Sequence, residues 1–473
     1  MKRKIAIFLL VSMLAALGAA GCSRTPPEPT VPGSTAQPSG TTEPSAAPDP
    51  TTVSDPTVVP EPTTVPDPTT VTNPTTIPKP TEPASPTEPV ERKPDGLIEV
   101  NGKLMKGGKE FYGMGVNYFD MFTGCMGGNW DYSKVMTALE NLKAYDCKVI
   151  RFSTLPFYAR SMGLYFDQEE TYWSKLDALV EKCEELEIGL IPSMFWTFAF
   201  FDYYGEVYEE AIFDENSQGM TFMRTYTEKF VQRYAQSPAI YGWEFSNEKI
   251  LAADIPGQEL YDTYLSTDGL NHIYTVWADI VAENDPYGRI ISTGDTNPRE
   301  SQYNQWKLHS WNKDSWEQHL EVLGAINPGK IDTISQHQYS LGSVLDAGDR
   351  TMPLFAATTW DAFFRYLKEV SATLGKACYV GEAGFGLDKA LGWENVSLEQ
   401  MQKVYDAIGE AAYNNKMQLV LLWNYDESSS LPEGYIYGRG SGTEYSWNEN
   451  MVWGRMALET MQAVNGKFAE DNP

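Results

Sequence analysis

Residues 241–250 read YGWEFSNEKI, and the way this stretch ends decides how the chain is read. Its first half is an apolar, aromatic strand running into a core. It finishes on Asn247 and Glu248, an amide beside a carboxylate. Asn is a common turn residue, so the ending is explained only if a partner for Glu248 exists elsewhere.

Outward from this strand the pattern repeats. From Gly96 onward, short apolar runs alternate with amphipathic helical stretches. GKEFYGMGVNYF gives a first strand ending near Val116. SKVMTALENLKAY gives a helix with Ser133 as N-cap and Val135, Leu139 and Leu142 on one face. CKVIRFS is the second strand, and the helix after it aligns Leu176, Leu179, Val180 and Cys183. IGLIPSMFW is the third strand, followed by a helix with Phe222, Tyr226 and Phe230 four residues apart. After the fourth strand, RIISTG, KIDTISQHQYS, KACYVGEAGFG and MQLVLLWNYD supply the fifth to eighth, and MVWGRMALETMQAV is a closing helix. The 473 residues have length for two or three domains, but eight βα units over 95–473 fit one (β/α)8 TIM barrel with long βα loops. A doubly wound sheet would need a Gly-rich phosphate turn after the first strand, and none is there. LIEVNGKLM, with Asn-Gly at its centre, predicts a hairpin capping the barrel floor.

In such barrels chemistry sits at the C-terminal ends of the strands. Those ends carry Arg151 (second), Trp196 (third), Asn247 and Glu248 (fourth), His337 and Tyr339 (sixth), Glu382 (seventh) and Trp423 (eighth). The fourth and seventh strands face each other across a barrel mouth, so Glu382 is the partner sought for Glu248. Two carboxyl groups about 5 Å apart are what retaining glycoside hydrolysis uses, one ionised and attacking, the other protonated and donating. The charge of the first raises the proton affinity of the second. Structural readings stand beside these. Arg151 is equally suited to neutralise Glu244, which lies below the rim and reads as structural. His337 and Tyr339 share a strand face, as core residues do, and Trp423 suits plain packing.

WEFSNE at 243–248, HQY at 337–339, GEAGFG at 381–386, the Arg after the second strand and the Trp closing the eighth together resemble glycoside hydrolase family 5, within the clan of retaining barrel glycosidases. The resemblance covers Gly96 to about Asn465. It implies Glu248 as acid/base and Glu382 as nucleophile. It implies Asn247 on the sugar 2-hydroxyl, Arg151 and Tyr339 holding Glu382, and His337 near the acid/base or substrate. Trp423 would be an aromatic floor on the non-reducing side of the cut bond, with Trp196 a further substrate contact. Cellulases of that family commonly place a His at the end of the third strand, where this chain has Met194, Phe195 and Trp196; its mannanases often lack that His. The implied substrate is a β-linked polysaccharide or oligosaccharide, a β-1,4-mannan or β-glucan. The rival expectation is a non-catalytic glycan-binding lipoprotein on the same barrel.

Residues 1–21 have a basic start (Lys2, Arg3, Lys4) and an apolar run too short to anchor stably in a bilayer, which reads as an export signal. AAGC at 19–22 resembles a bacterial lipobox, implying lipid on Cys22 and an extracytoplasmic, membrane-tethered protein; an ordinary cleaved signal is the alternative. Residues 23–94 hold 20 of the 30 prolines and no aromatic residue. Such a Pro/Thr-rich segment cannot bury enough apolar area to form a core, so a disordered linker over 22–94 is expected. Prolines recur every six residues from Pro50 to Pro80, which favours polyproline II and a reach on the order of 200 Å at ~3.1 Å per residue.

The formal charge of −28 argues against nucleic acid and anionic polysaccharide as partners. The four histidines show no HxH or HExxH spacing, and there is no GxSxG elbow or Walker motif, so no cofactor and no metal are expected. Cys125, Cys147, Cys183 and Cys378 show no CxxC and read as small core residues, with one or two disulfides permitted. The long connections Asn117–Trp130, Thr197–Gly219 and Asn424–Asn450 would build a cleft, the last with Tyr435, Tyr437, Tyr445, Trp447 and GRGSG. Asp295, Trp306 and Trp311 are candidates for added sugar contacts. The chain is expected to act as a monomer.

Overall fold

The computed structural model describes residues 96–339, 359–384, 398–429 and 446–471. Cys22, the signal and linker segments, Tyr435, Tyr437, Tyr445, GRGSG and the last two residues of GEAGFG lie outside the described residues.

Eight parallel strands form the central sheet. In chain order these barrel strands are Gly113–Asn117, Val149–Ser153, Gly189–Ser193, Gly242–Glu244, Ile290–Ser292, Thr333–Tyr339, Ala377–Gly384 and Leu419–Leu422. Each pairs with the next in the chain except the fifth with the sixth, and the eighth pairs with the first. Between the fifth and sixth strands there is no ladder. That seam is closed by the Asp332 N–H donating to Ile291 O at 3.2 Å and the Ile291 N–H donating to Asp332 Oδ1 at 2.9 Å. The expected (β/α)8 barrel is therefore present, nearly closed, with helices around it.

The helices dock through the stripes the sequence pattern predicts. Glu169–Leu186 buries Leu176, Leu179, Val180 and Cys183, and Gln218–Tyr234 buries Phe222, Tyr226 and Phe230. Ser133 is a correction: it is the first helical residue, with Tyr132 at the N-cap, and its N–H donates to Asp131 Oδ1 at 2.9 Å. The segment Thr197–Gly219 is not plain loop either, since it contains helices Ala199–Tyr204 and Tyr208–Phe213.

The hairpin forms as Ile98–Val100 and Lys103–Lys106, joined at Asn101-Gly102, both with positive φ. Leu97 and Leu104 pack with Val149, Ile191, Ile290, Tyr379, Leu419 and Leu421 in a cluster inside the barrel. Full burial of Leu104 contributes roughly 2–3 kcal/mol. This plug at the floor leaves the opposite rim for polar groups. Cys125, Cys147, Cys183 and Cys378 are all unpaired thiols, three of them buried. Among the described residues no helix is long and apolar enough to cross a membrane.

Candidate active site

Arg151 organises the rim. Fully buried on the second strand, it donates from Nε to both oxygens of Glu244 at 2.8 and 2.9 Å. Nη1 donates to Glu382 Oε1 at 2.9 Å and Asn117 Oδ1 at 3.0 Å, and Nη2 to Asn247 Oδ1 at 2.9 Å. The two roles open to Arg151 in the sequence are thus both filled. Burial alone would lower its proton affinity, but Glu244 and Glu382 more than offset this, so the guanidinium stays charged. Glu244 is wholly buried, with Tyr379 OH donating to its Oε2 at 2.5 Å, as a structural group would be.

Glu382 reaches the same cavity through a β-bulge. Cys378 and Val380 face the helix-side core, while Ala377 and Tyr379 face the barrel interior. Strict alternation would send Glu382 outward with Cys378 and Val380. The register between the sixth and seventh strands slips between Val380 and Glu382, so Val380 pairs with Gln336 and Glu382 with His337. This slip turns Glu382 inward. Gly381 permits it: a Cβ there would lie 2.4 Å from Ser335 Oγ and 2.7 Å from His337 Nε2.

Glu248 lies beyond the end of its strand, which stops at Glu244, in a turn where it adopts φ +53°. His337 Nδ1 is 2.9 Å from Glu248 Oε1 and 3.5 Å from Glu382 Oε1. A ligand atom from each of Glu248, His337 and Glu382 lies within 4.8 Å of the other two. These three could hold a small cation.

The two carboxyls differ in surroundings. Burial raises Glu248 to about 7, against the pull of Arg151 and Lys249. Burial raises Glu382 on balance, as does the Glu248 charge, with Arg151 and Tyr339 opposing it. Arg151 and the Tyr339 hydroxyl hydrogen-bond to Glu382 and not to Glu248. Of the pair, Glu382 is therefore the one held charged. Burial lowers His337 to about 4, so its ring is neutral. Its Nε2 has no partner among the described residues, while Nδ1 faces Glu248 Oε1 at 2.9 Å.

Asn247 accepts Arg151 through Oδ1, leaving its Nδ2 donors for a ligand. Trp423 is partly exposed at the rim, with Phe119 and Trp196 behind it at 6.3 and 6.0 Å between ring centroids. Trp196 departs from the expected substrate contact. At 2% exposure it has almost no free face, and it lies under the Arg151 guanidinium at 4.3 Å. Trp447 is buried too, donating from Nε1 to Trp423 O at 3.0 Å. Asp295 is 1% exposed with both oxygens bonded within the protein, so it cannot meet a sugar; Trp311 is 55% exposed. The sequence reading passed over Asn117, Tyr379 and Lys249. Asn117 was within reach of the same rule, as a polar residue ending the first strand. Tyr379 lies deep in a strand with no such signal.

No protein-family model and no curated protein matches the chain. Solved structures do. An endo-1,4-beta-mannanase from Rhizomucor miehei superposes with a TM-score of 0.51 at 13% identity, over 79% of this chain and 99% of that one. An endo-beta-1,4-mannanase from Thermotoga petrophila gives 0.51 at 16%, over 76% and 78%. An exo-beta-1,4-mannosidase from Opitutaceae bacterium strain TAV5 gives 0.51 at 16%, over 79% and 62%. The fold these enzymes share with the chain is the (β/α)8 barrel. At such identities the likeness is one of architecture, and the site stands on its own residues.

Proposed function

We propose that the protein is a retaining β-glycoside hydrolase that cuts a β-linked mannan or glucan by double displacement. The observation that carries this is the pair Glu248 and Glu382. They approach to within 4.8 Å, near the spacing of retaining rather than inverting enzymes, and one has charge-holding donors that the other lacks. Glu382 attacks the anomeric carbon while Glu248 protonates the leaving oxygen. Esterified Glu382 is neutral, so the repulsion on Glu248 falls. Glu248 then takes a proton from water as that water displaces Glu382. Asn247 Nδ2 donates to the sugar 2-hydroxyl, and Trp423 floors the sugar on the non-reducing side.

Of the two substrates, mannan draws support from the mannanases and mannosidase that share the fold, and from Met194, Phe195 and Trp196 at the third strand end. Residues 1–94 extend the proposal: a cleaved signal, lipid on Cys22 and a Pro/Thr-rich tether would hold the enzyme outside the cytoplasm. The test is Glu382→Ala with azide on 2,4-dinitrophenyl β-cellobioside or β-mannobioside. Rescue with formation of the α-glycosyl azide supports the nucleophile. Glycan binding without turnover by the unmutated protein favours the binder.

A further inference from the structure

We propose that Asp295 and Arg299, on the loop after the fifth strand, are positioning residues that fix the turn presenting Glu248. The inference rests on the acid/base reading of Glu248 and deepens it. Glu248 sits at φ +53°, a left-handed backbone that a non-glycine residue keeps only when its surroundings enforce it. Arg151 holds Asn247 and Ser193 holds Ser246 O on the strand side of the turn; from Glu248 onward the backbone is held by one segment, Gly294–Arg299.

Gly294 O accepts the Glu248 N–H at 3.2 Å. Gly294 itself has φ +72°, and a Cβ there would lie 1.9 Å from Ser246 O, so the two backbones approach as only glycine allows. Next, Asp295 Oδ1 accepts the Ile250 N–H at 2.9 Å, and its Oδ2 accepts Tyr274 OH at 2.6 Å. Tyr274 belongs to the packed helix Thr267–Asn284 and is itself buried, so the carboxylate ties the turn to a rigid element. Arg299 then gathers carbonyls of the short 3-10 turn Lys249–Ala252 and the residue after it. Nη1 donates to Ile250 O at 3.1 Å and Leu251 O at 2.6 Å, and Nη2 donates to Ala253 O. Of these, Ile250 O also accepts the Ala253 N–H at 3.2 Å within the turn, and the end of so short a turn leaves its last carbonyls to outside donors. Nε of Arg299 is anchored by Gln305 Oε1 at 2.8 Å.

The same segment reaches the other side of the site. Asn297 Nδ2 donates to His337 O at 2.7 Å. One loop therefore sets the backbone of both Glu248 and the histidine that faces it. Neither Asp295 nor Arg299 touches the space between the two carboxyls, so their effect on the reaction passes through Glu248.

A displaced acid/base has a kinetic signature that general loosening lacks. Protonation matters for a poor leaving group and hardly at all for a good one. Asp295→Ala and Arg299→Lys, made in the full chain, are compared with the unmutated protein on phenyl and 2,4-dinitrophenyl β-glycosides of mannobiose or cellobiose. The expected result is a loss of about 10–100-fold in kcat/KM on the phenyl glycoside and under about threefold on the dinitrophenyl one. Azide should accelerate turnover of the latter and yield the β-glycosyl azide: azide bonds to the anomeric carbon and the Glu382 carboxylate leaves. Equal losses on both substrates without azide acceleration would make the residues merely structural and overturn the inference, as would no loss on either. If Asp295→Ala does not fold, Arg299→Lys reads the same contrast. An unmutated protein that turns over neither glycoside overturns the glycosidase reading itself, a result distinct from failure of the clamp.

Discussion

Replacing Glu248 with Gln should make the protein more stable at alkaline pH. Burial raises this carboxyl from 4.5 to about 7, so ionising it costs more in the folded chain than in the unfolded one. Below the unfolded value both states are protonated and nothing is lost. As pH rises from about 4.5 to 7 the unfolded chain ionises first, and folding loses stability; above 7 the deficit is constant. A shift of this size corresponds to about 3 kcal/mol, reduced to about 2 because the side chain is 25% exposed. Gln has nearly the same shape, keeps a partner for His337 Nδ1 and never ionises. Urea unfolding from pH 4 to 9 should show Glu248→Gln matching the unmutated chain at pH 4 and exceeding it by about 2 kcal/mol at pH 8.5. A difference that is absent, or that does not change with pH, would refute the argument that burial keeps Glu248 protonated.

The same carboxyl sets the upper limb of the pH–rate curve. In the proposed reaction Glu248 carries a proton at the start, so kcat/KM on a poor leaving group should fall as pH rises through about 7. The lower limb, where Glu382 gains a proton, should lie above the ordinary carboxylate range, because burial raises that group as well. Arg151→Met leaves Glu244 and Glu382 buried without their shared cation and should cost about 3–5 kcal/mol in denaturant unfolding. Gly381→Ala puts a methyl 2.4 Å from Ser335 Oγ; about 1–3 kcal/mol of stability and most of kcat should go together, read by thermal melting and steady-state kinetics.

The barrel could be read from the sequence because its signals are local and repeated. Each strand is a short apolar run, each helix carries its own stripe, and Asn101-Gly102 specifies its turn without outside help. Glu248, Glu382, Arg151, His337 and Tyr339 were legible as polar residues at the ends of four of the strands, and the structure draws all five together. What escaped depends on geometry that no window of sequence holds. Alternation along ACYVGEAG points Glu382 the wrong way, and only the slip at Gly381 corrects it. Trp196 looks like any exposed rim tryptophan until Arg151 and Phe119 are packed on it. Asp295 reads as a sugar ligand until Ile250 and Tyr274 are found on its two oxygens.

The seam beside Asp332 has a mechanical meaning. Seven of the eight joints around the barrel are ladders, and the eighth is fastened largely by one carboxylate and one peptide. A hoop under load gives at its weakest joint, so the amides of Ile291 and Asp332 should be the first of the staves to exchange with deuterium. The loop bearing Asp295 and Asn297 spans that joint just above it, gripping the Glu248 turn on one bank and His337 on the other. Any widening of the hoop would pull the Glu248 carboxyl and its imidazole neighbour apart, which ties the breathing of the barrel wall to the aim of that one side chain.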